Sequence, residues 1–366
     1  MIDQLRDFLL DNWNKILPHL KQPHELRFLI AKGSIGGYGG KVNLFLFVDN
    51  EPQPIVIAKT VRDAQSDQLL AIEYNSLRYI HSTLSKSLRE KTPQVYFLGQ
   101  VGIYKVLIEE AVTGKSIDAI VTSNLFSRRQ IACRMLKIIF VWLIESKKEL
   151  NIRENYYINE ANHKEYFSNP IEKFLRVYNI SGKEKNFINN MENSISDIVK
   201  HKYPLVFEHG DLSPINIIYS KDKFWVIDWT CSKTKSLPFC DLFFLLIWFV
   251  FCNYPNEVEG IVRLNNFDQM FLKNGKYSSI ASELIRDYCN KFNIDLLFLK
   301  TFFAMFIINR ANKEYDILTR QADRGYIPLV KPFDQEMNYK NGSLSKNGLY
   351  INIFHRFVEN SKKFIF

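Results

Sequence analysis

Cysteine is scarce in this chain and forms no recognisable arrangement. Cys133, Cys231, Cys240, Cys252 and Cys289 include no C-x-x-C pair and no metal-ligand spacing. An odd count without framework spacing argues against a disulfide scaffold and favours a reduced, cytoplasmic compartment. Long apolar runs are absent too. The longest, Leu242 to Cys252, is about half of what a membrane span needs and is expected to be a buried helix. The first twenty residues, MIDQLRDFLLDNWNKILPHL, have no uninterrupted apolar core. Ile2, Leu5, Phe8, Leu9, Ile16, Leu17 and Leu20 instead follow an amphipathic helix, which is not the pattern of a signal peptide. Despite a net charge of +9, there is no basic stripe with interleaved aromatics, so nucleic acid is not an expected partner. Nor is there an internal repeat or a low-complexity tract.

What is present suffices for a large core. Apolar residues are 46% of 366 positions, enough for one large domain or two modest lobes. Residues 26–59 read as strands joined by turns: LRFLIAKG, the loop GSIGGYGGK, the alternating VNLFLFVD, the turn NEPQP and the β-branched IVIAK. A helix follows from Ser66 or Asp67, with Leu70, Leu77, Ile80 and Leu84 at helical spacing. Glu73 falls on that apolar face. A charge there is costly unless a partner meets it, and Lys59, ending the preceding strand, is the nearest candidate. TPQVYFLG and YKVLIEEAV add two strands. Beyond Gly114 the pattern turns helical: 126–146 is strongly apolar, stretches near 170–178 and 186–200 are helical, and the chain from Asp241 is mostly helical with an irregular stretch around 322–348. The expectation is an α+β protein: an N-terminal antiparallel-sheet lobe with one main helix over 1–112, and a larger helical lobe over 113–366.

One stretch does not fit a core or a solvated loop. In FEHGDLSPINIIYSKDKFWVIDW, residues 207–229, the segments IIY and FWVID flank the turn SKDK as a β-hairpin. Antiparallel strands of matched length bring Asp228, at the far end, back beside Asn216. Asp211 precedes the hairpin by one short loop. A carboxylate plus an amide oxygen suits Mg²⁺, which takes one or two protein carboxylates and substrate phosphates. The other carboxylate, Asp211, is left to accept a proton or orient a hydroxyl.

HGDLSPIN followed by VIDW resembles the aminoglycoside phosphotransferase and choline kinase-like family, small-molecule relatives of the protein kinases. The resemblance covers most of the chain and keeps the family's order: the glycine-rich loop Gly33–Gly40, the lysine of IVIAK, Glu73, the hinge after VLIEE, the catalytic loop, the metal aspartate and LPFCDL. It implies a two-lobed protein-kinase-like fold and an ATP-dependent transfer of the γ-phosphoryl group to a small-molecule hydroxyl, with GTP an alternative donor. Asp211 is then the catalytic base, and Asn216 and Asp228 hold Mg²⁺. Lys59, held by Glu73, contacts the α and β phosphates. The loop residues Ser34, Gly36, Gly37 and Gly39 cover the phosphates with backbone N–H groups. Backbone groups near Glu110 and Val112 bind the purine, while His209 and Asp241 support the catalytic loop.

There are departures. Ser213 stands where protein kinases place a lysine, and no A-P-E-like segment follows Asp228, which sets back an unusual protein kinase. Thr230 follows Ile-Asp-Trp where glycine or an acidic residue is frequent, putting the second metal's surroundings in question. A pseudokinase or nucleotide-binding scaffold is the rival from another class. A net charge of about +8 falls from residue 113 onward. This disfavours a polycationic acceptor and points to a sugar, amino alcohol or similar hydroxyl compound, including one with an anionic group.

Overall fold

A computed structural model describes residues 1–32, 41–61, 66–124, 126–152, 156–252, 260–323 and 348–366. The glycine-rich loop, with Ser34, Gly36, Gly37 and Gly39, lies outside the described residues, as does most of the expected irregular stretch before residue 348. The chain divides into two compact units. The first comprises Met1–Ile117, His209–Asp211 and Ile215–Ser232; the second comprises Asp118–Glu208, Leu212–Pro214 and Lys233–Phe366.

The first unit begins with α1 (Ile2–Ile16), which stops where Leu17 precedes Pro18, because proline disfavours helical backbone in the residue before it. Strands β1 (Leu26–Lys32), β2 (Val42–Val48) and β3 (Val56–Thr60) lead to α2 (Asp67–Thr83) and the short α3 (Lys86–Arg89). Then come β4 (Val95–Val101), β5 (Tyr104–Glu110) and the short β6 (Lys115–Ser116). The first five strands form an antiparallel sheet in the order β1-β2-β3-β5-β4. Its register sets both faces. Ala58 pairs with Ile108 and Lys59 with Leu107. Ala58, Val106 and Ile108 therefore join Leu5, Leu9 and Trp13 of α1 in one core, while Leu107 packs with Leu70 of α2 on the other face. Each such buried aliphatic chain stabilises the unit by about 1.5–3 kcal/mol. Alternation along β3 and β5 also aims Lys59 and Glu109 toward the α2 face.

The second unit is helical. It is built from α4 (Ile117–Ser123), α5 (Arg128–Ile152), α6 (Asn169–Val177) and α7 (Gly182–His201), followed by β7 (Val206–Glu208). A capping box starts α7: the Ser181 hydroxyl accepts the Glu184 N–H, and the Glu184 carboxylate accepts the Ser181 N–H. The chain then returns to the first unit for the hairpin β8 (Ile217–Ser220) and β9 (Lys223–Val226). It re-enters the second for β10 (Lys233–Ser236), which pairs with β7, and for α8 (Cys240–Cys252), α9 (Gly260–Phe271), α10 (Ser278–Phe292), α11 (Leu299–Asp323) and α12 (Leu349–Glu359). Helix α8, apolar on every side, is buried nearly all round. The Phe303 ring of α11 meets Phe243, Phe267, Phe271 and Phe357 from three other helices. Among the described residues, no helix is long and apolar enough to cross a membrane. The architecture is thus α+β, with a sheet unit preceding a larger helical one.

Candidate active site

The 207–229 stretch closes as a tight hairpin. Ile217 pairs with Val226 and Ser220 with Lys223. Both residues between, Lys221 and Asp222, have positive φ, the type I′ turn that matches strand twist. The Ile227 N–H donates to the Asn216 carbonyl at 2.9 Å, which brings Asp228 back beside Asn216. Strand β8 also pairs with β6, with Ser116 opposite Ile218, so the hairpin is bonded to the chain that leaves β5.

Gly210 is required by its geometry. Its φ is +76°, and a Cβ there would lie 2.1 Å from the Cys231 carbonyl oxygen. His209 bridges the same corner. A carbonyl only accepts and an amide N–H only donates, so the His209 Nε2–H donates to Ile227 O at 3.0 Å and Nδ1 accepts from Asp211 N–H at 3.2 Å. The imidazole packs on the Trp229 ring at 4.4 Å. His209 therefore ties the Asp211 backbone to Ile227, between the end of β9 and Asp228.

Asn216 commits its amide nitrogen to Asp211, reaching the backbone oxygen at 2.9 Å and Oδ2 at 3.1 Å. Its carbonyl oxygen consequently points away from Asp211. Among the described residues, no donor reaches that oxygen or Asp228 Oδ2. One carboxylate oxygen and one amide oxygen fit a hard cation that brings further ligands with it. Among the described residues, no cluster of three or more His, Cys, Asp or Glu side chains could hold a metal alone. Any divalent ion here needs further oxygens, from water or from a ligand.

Glu73 is the hub of the site. It is fully buried on α2, with Oε1 2.7 Å from Lys59 Nζ and 3.2 Å from the Trp229 N–H that donates to it. It thus links the β3 lysine to the backbone beside Asp228. Two residues not anticipated from the pattern complete the network. Glu109 Oε1 lies 2.5 Å from Lys59 Nζ. Lys41 Nζ lies 2.5 Å from Asp228 Oδ1 and 3.7 Å from Glu73 Oε2. Thr230 donates its hydroxyl to the same Asp228 Oδ1 at 2.7 Å. Asp228 itself sits in left-handed backbone, φ +64°, which aspartate tolerates better than most residues.

The charges follow from this geometry. Burial opposes the Lys59 charge, but the Glu109 and Glu73 carboxylates outweigh it and hold the ammonium above its ordinary value. Burial also pushes the Asp228 carboxyl up, yet Lys41 and Lys59 win and hold it well below the usual carboxylate range. Glu109 goes the other way. Burial, opposed by Lys59 and reinforced by the Glu73 charge, pushes it up to about 7. Two carboxylates share one ammonium, and Glu109 Oε2 is buried without a hydrogen bond.

The other expected positions lie apart from this network. The Glu110 N–H donates to Gln94 O at 2.8 Å, and its carboxylate accepts the Gln94 N–H at 3.2 Å. Val112 follows, half-buried. Asp241 belongs to the second unit, at the start of α8, in a separate buried cluster. Its N–H donates to Glu208 Oε2 at 2.8 Å, and Lys147 of α5 reaches Glu208 Oε2 at 2.9 Å, Asp241 Oδ2 at 3.2 Å and the Phe207 carbonyl at 2.7 Å.

No protein-family model matches the sequence, and no curated protein matches it. Solved structures do. A thermostable mutant of aminoglycoside phosphotransferase APH(4)-Ia, in ternary complex with ADP and hygromycin B, is 11% identical; the alignment covers 87% of this chain and 92% of that one, with a TM-score of 0.50. Another structure of aminoglycoside phosphotransferase APH(4)-Ia gives 0.50 at 10% identity, covering 88% and 94%. A choline/ethanolamine kinase family protein from Mesorhizobium loti aligns over 98% of this chain and 94% of its own at 13% identity, TM-score 0.43. At these identities the likeness is one of fold: the chain has the aminoglycoside phosphotransferase fold.

Proposed function

We propose that this protein is a small-molecule kinase, transferring the γ-phosphoryl group of ATP to a hydroxyl of a small acceptor. The observation that carries the proposal is the arrangement of Asp211, Asn216 and Asp228 at one corner of a rigid hairpin, linked through Glu73 to Lys59. A protein of the same fold holds ADP together with hygromycin B, which supports a nucleotide and a small acceptor here.

In this reaction Asp211 aligns the acceptor hydroxyl and receives its proton. The acceptor oxygen bonds to the γ phosphorus as the bond from that phosphorus to the β–γ bridging oxygen breaks, and the nucleoside diphosphate leaves. Asn216 and Asp228 would hold Mg²⁺, whose charge offsets that of the phosphates. Lys59, fixed by Glu73 and Glu109, contacts the α and β phosphates. The loop with Ser34, Gly36, Gly37 and Gly39 covers them, and backbone groups of Glu110 and Val112 receive the base; GTP is the alternative donor. His209 holds the catalytic loop's backbone, and Asp241 supports the loop through Glu208, the residue before His209. The basic charge from residue 113 onward supports an uncharged or anionic hydroxyl compound over a polycationic one.

One observation favours a second reading, a nucleotide-binding module without turnover: an ammonium, Lys41, already sits on the carboxylate proposed to hold the metal. Release of nucleoside diphosphate separates the two. Purified protein with ATP or GTP and Mg²⁺ is assayed against hydroxylated metabolites and aminoglycosides, beside Asp211→Ala. Acceptor-dependent turnover lost in the variant supports the kinase. Nucleotide binding without turnover on any acceptor supports the binding module.

A further inference from the structure

Lys41 has no part in the scheme above, yet among the described residues it is the cation nearest Asp228, the carboxylate proposed to hold the metal. It directly precedes β2, whose pairing of Val42 with Thr60 and Asn43 with Lys59 anchors it beside the end of β3. Its side chain is only 14% exposed, and its ammonium reaches Asp228 Oδ1 at 2.5 Å and Glu73 Oε2 at 3.7 Å. The Thr230 hydroxyl donates to that same Asp228 oxygen. One oxygen of Asp228 is thus already filled by two donors, while Oδ2 and the Asn216 carbonyl oxygen remain. In protein kinases two Mg²⁺ ions are shared between an aspartate and an asparagine so placed. Here the acceptor atoms left over suffice for one.

We propose that Lys41 is a built-in substitute for one of the two divalent ions, so that the nucleotide complex of this protein takes up a single metal ion and uses Lys41 beside Lys59 as a second phosphate-contacting cation. This rests on the phosphotransferase function proposed above. Three features support it. The ammonium is carried by the residue that leads directly into β2, whose first pair is Val42 with Thr60. It is shielded from water, and removing it would leave Asp228 without its direct ion pair and Glu73 with Lys59 alone. Thr230 stands where glycine or an acidic residue is frequent in the family the sequence resembles, and its hydroxyl, like Lys41, takes up Asp228 Oδ1.

The test counts bound Mn²⁺, by electron paramagnetic resonance of the free ion, in full-length protein saturated with the imidotriphosphate analogue of ATP or of GTP. The expected result is one Mn²⁺ per complex for the wild type and for Lys41→Arg, and two for Lys41→Met. Affinity for the triphosphate analogue, read by calorimetry, should fall about tenfold in Lys41→Met, while adenosine or guanosine affinity is unchanged. Two Mn²⁺ in the wild type would overturn the proposal, and that count decides the matter even if the Met variant fails to fold. One Mn²⁺ in a folded Lys41→Met would also overturn it. Absence of nucleotide binding in every variant would overturn the kinase function and this inference with it, an outcome distinct from a count of two.

Discussion

Each unit buries a lysine between two carboxylates, and the two clusters put it to opposite use. In the second unit Lys147, Glu208 and Asp241 have side chains no more than 3% exposed. Lys147 also donates to Phe207 O, and the Asp241 N–H donates to the Glu208 carboxylate. That cluster joins α5, β7 and the start of α8 and is shut away from solvent. In the first unit Lys59 likewise sits between Glu73 and Glu109, but the network runs on through Lys41 to Asp228, whose side chain is 37% exposed. The difference lies in where the network ends: one stays wholly buried, the other opens onto solvent at a carboxylate.

The open cluster should show itself most in rate. Asp211→Asn should lower acceptor-dependent turnover about 10²–10⁴-fold while shifting the unfolding free energy by no more than about 1 kcal/mol, as seen by steady-state kinetics beside urea denaturation. The reverse is expected of the closed cluster. Lys147→Ala strands two buried carboxylates and should cost about 3–5 kcal/mol of stability, read as a lower urea midpoint.

A pH series sharpens the contrast. Glu109 has its carboxyl raised from 4.5 to about 7 in the folded protein. Below pH 4.5 it is protonated in both states and imposes no penalty. As pH rises from 4.5 through 7 the unfolded chain ionises first, and stability is lost by about 3 kcal/mol at most. Glu109→Gln removes that loss, so urea unfolding of the two proteins should differ much more at pH 8 than at pH 5. An equal pH slope in both would show that Glu109 is not the titrating group. The smallest effect belongs to the exposed pair Lys137–Glu283, with side chains 53% and 51% exposed. Solvent screens it, so Lys137→Ala should leave the urea midpoint unchanged.

Much of the site is legible along the chain. The turn residues of SKDK and the matched apolar runs on either side specify a hairpin, and a hairpin by its nature returns Asp228 to Asn216. The helical spacing of Leu70, Leu77 and Ile80 puts Glu73 on a packing face and demands a cation. Glu109 and Lys41 were not legible in the same way. Glu109 lies in an apolar strand, and only the register of β3 against β5 turns it toward Lys59. Lys41 looks like one more charge after a glycine run until β2 is paired. Lys147 carries no signal either, since its partners stand far downstream and meet it only through packing of α5.

What the sequence determined by itself is therefore local and ordered: the α+β division, the sheet before Gly114, the helices after it, the hairpin, and the order in which acid, amide and lysine appear. These follow from periodicity, turn chemistry and the cost of placing charge on an apolar face. Only the tertiary structure decided which charges share a cluster and which cluster stays open. Ion pairing depends on distances of a few ångströms, and those are set by strand register and helix packing between residues far apart in the chain.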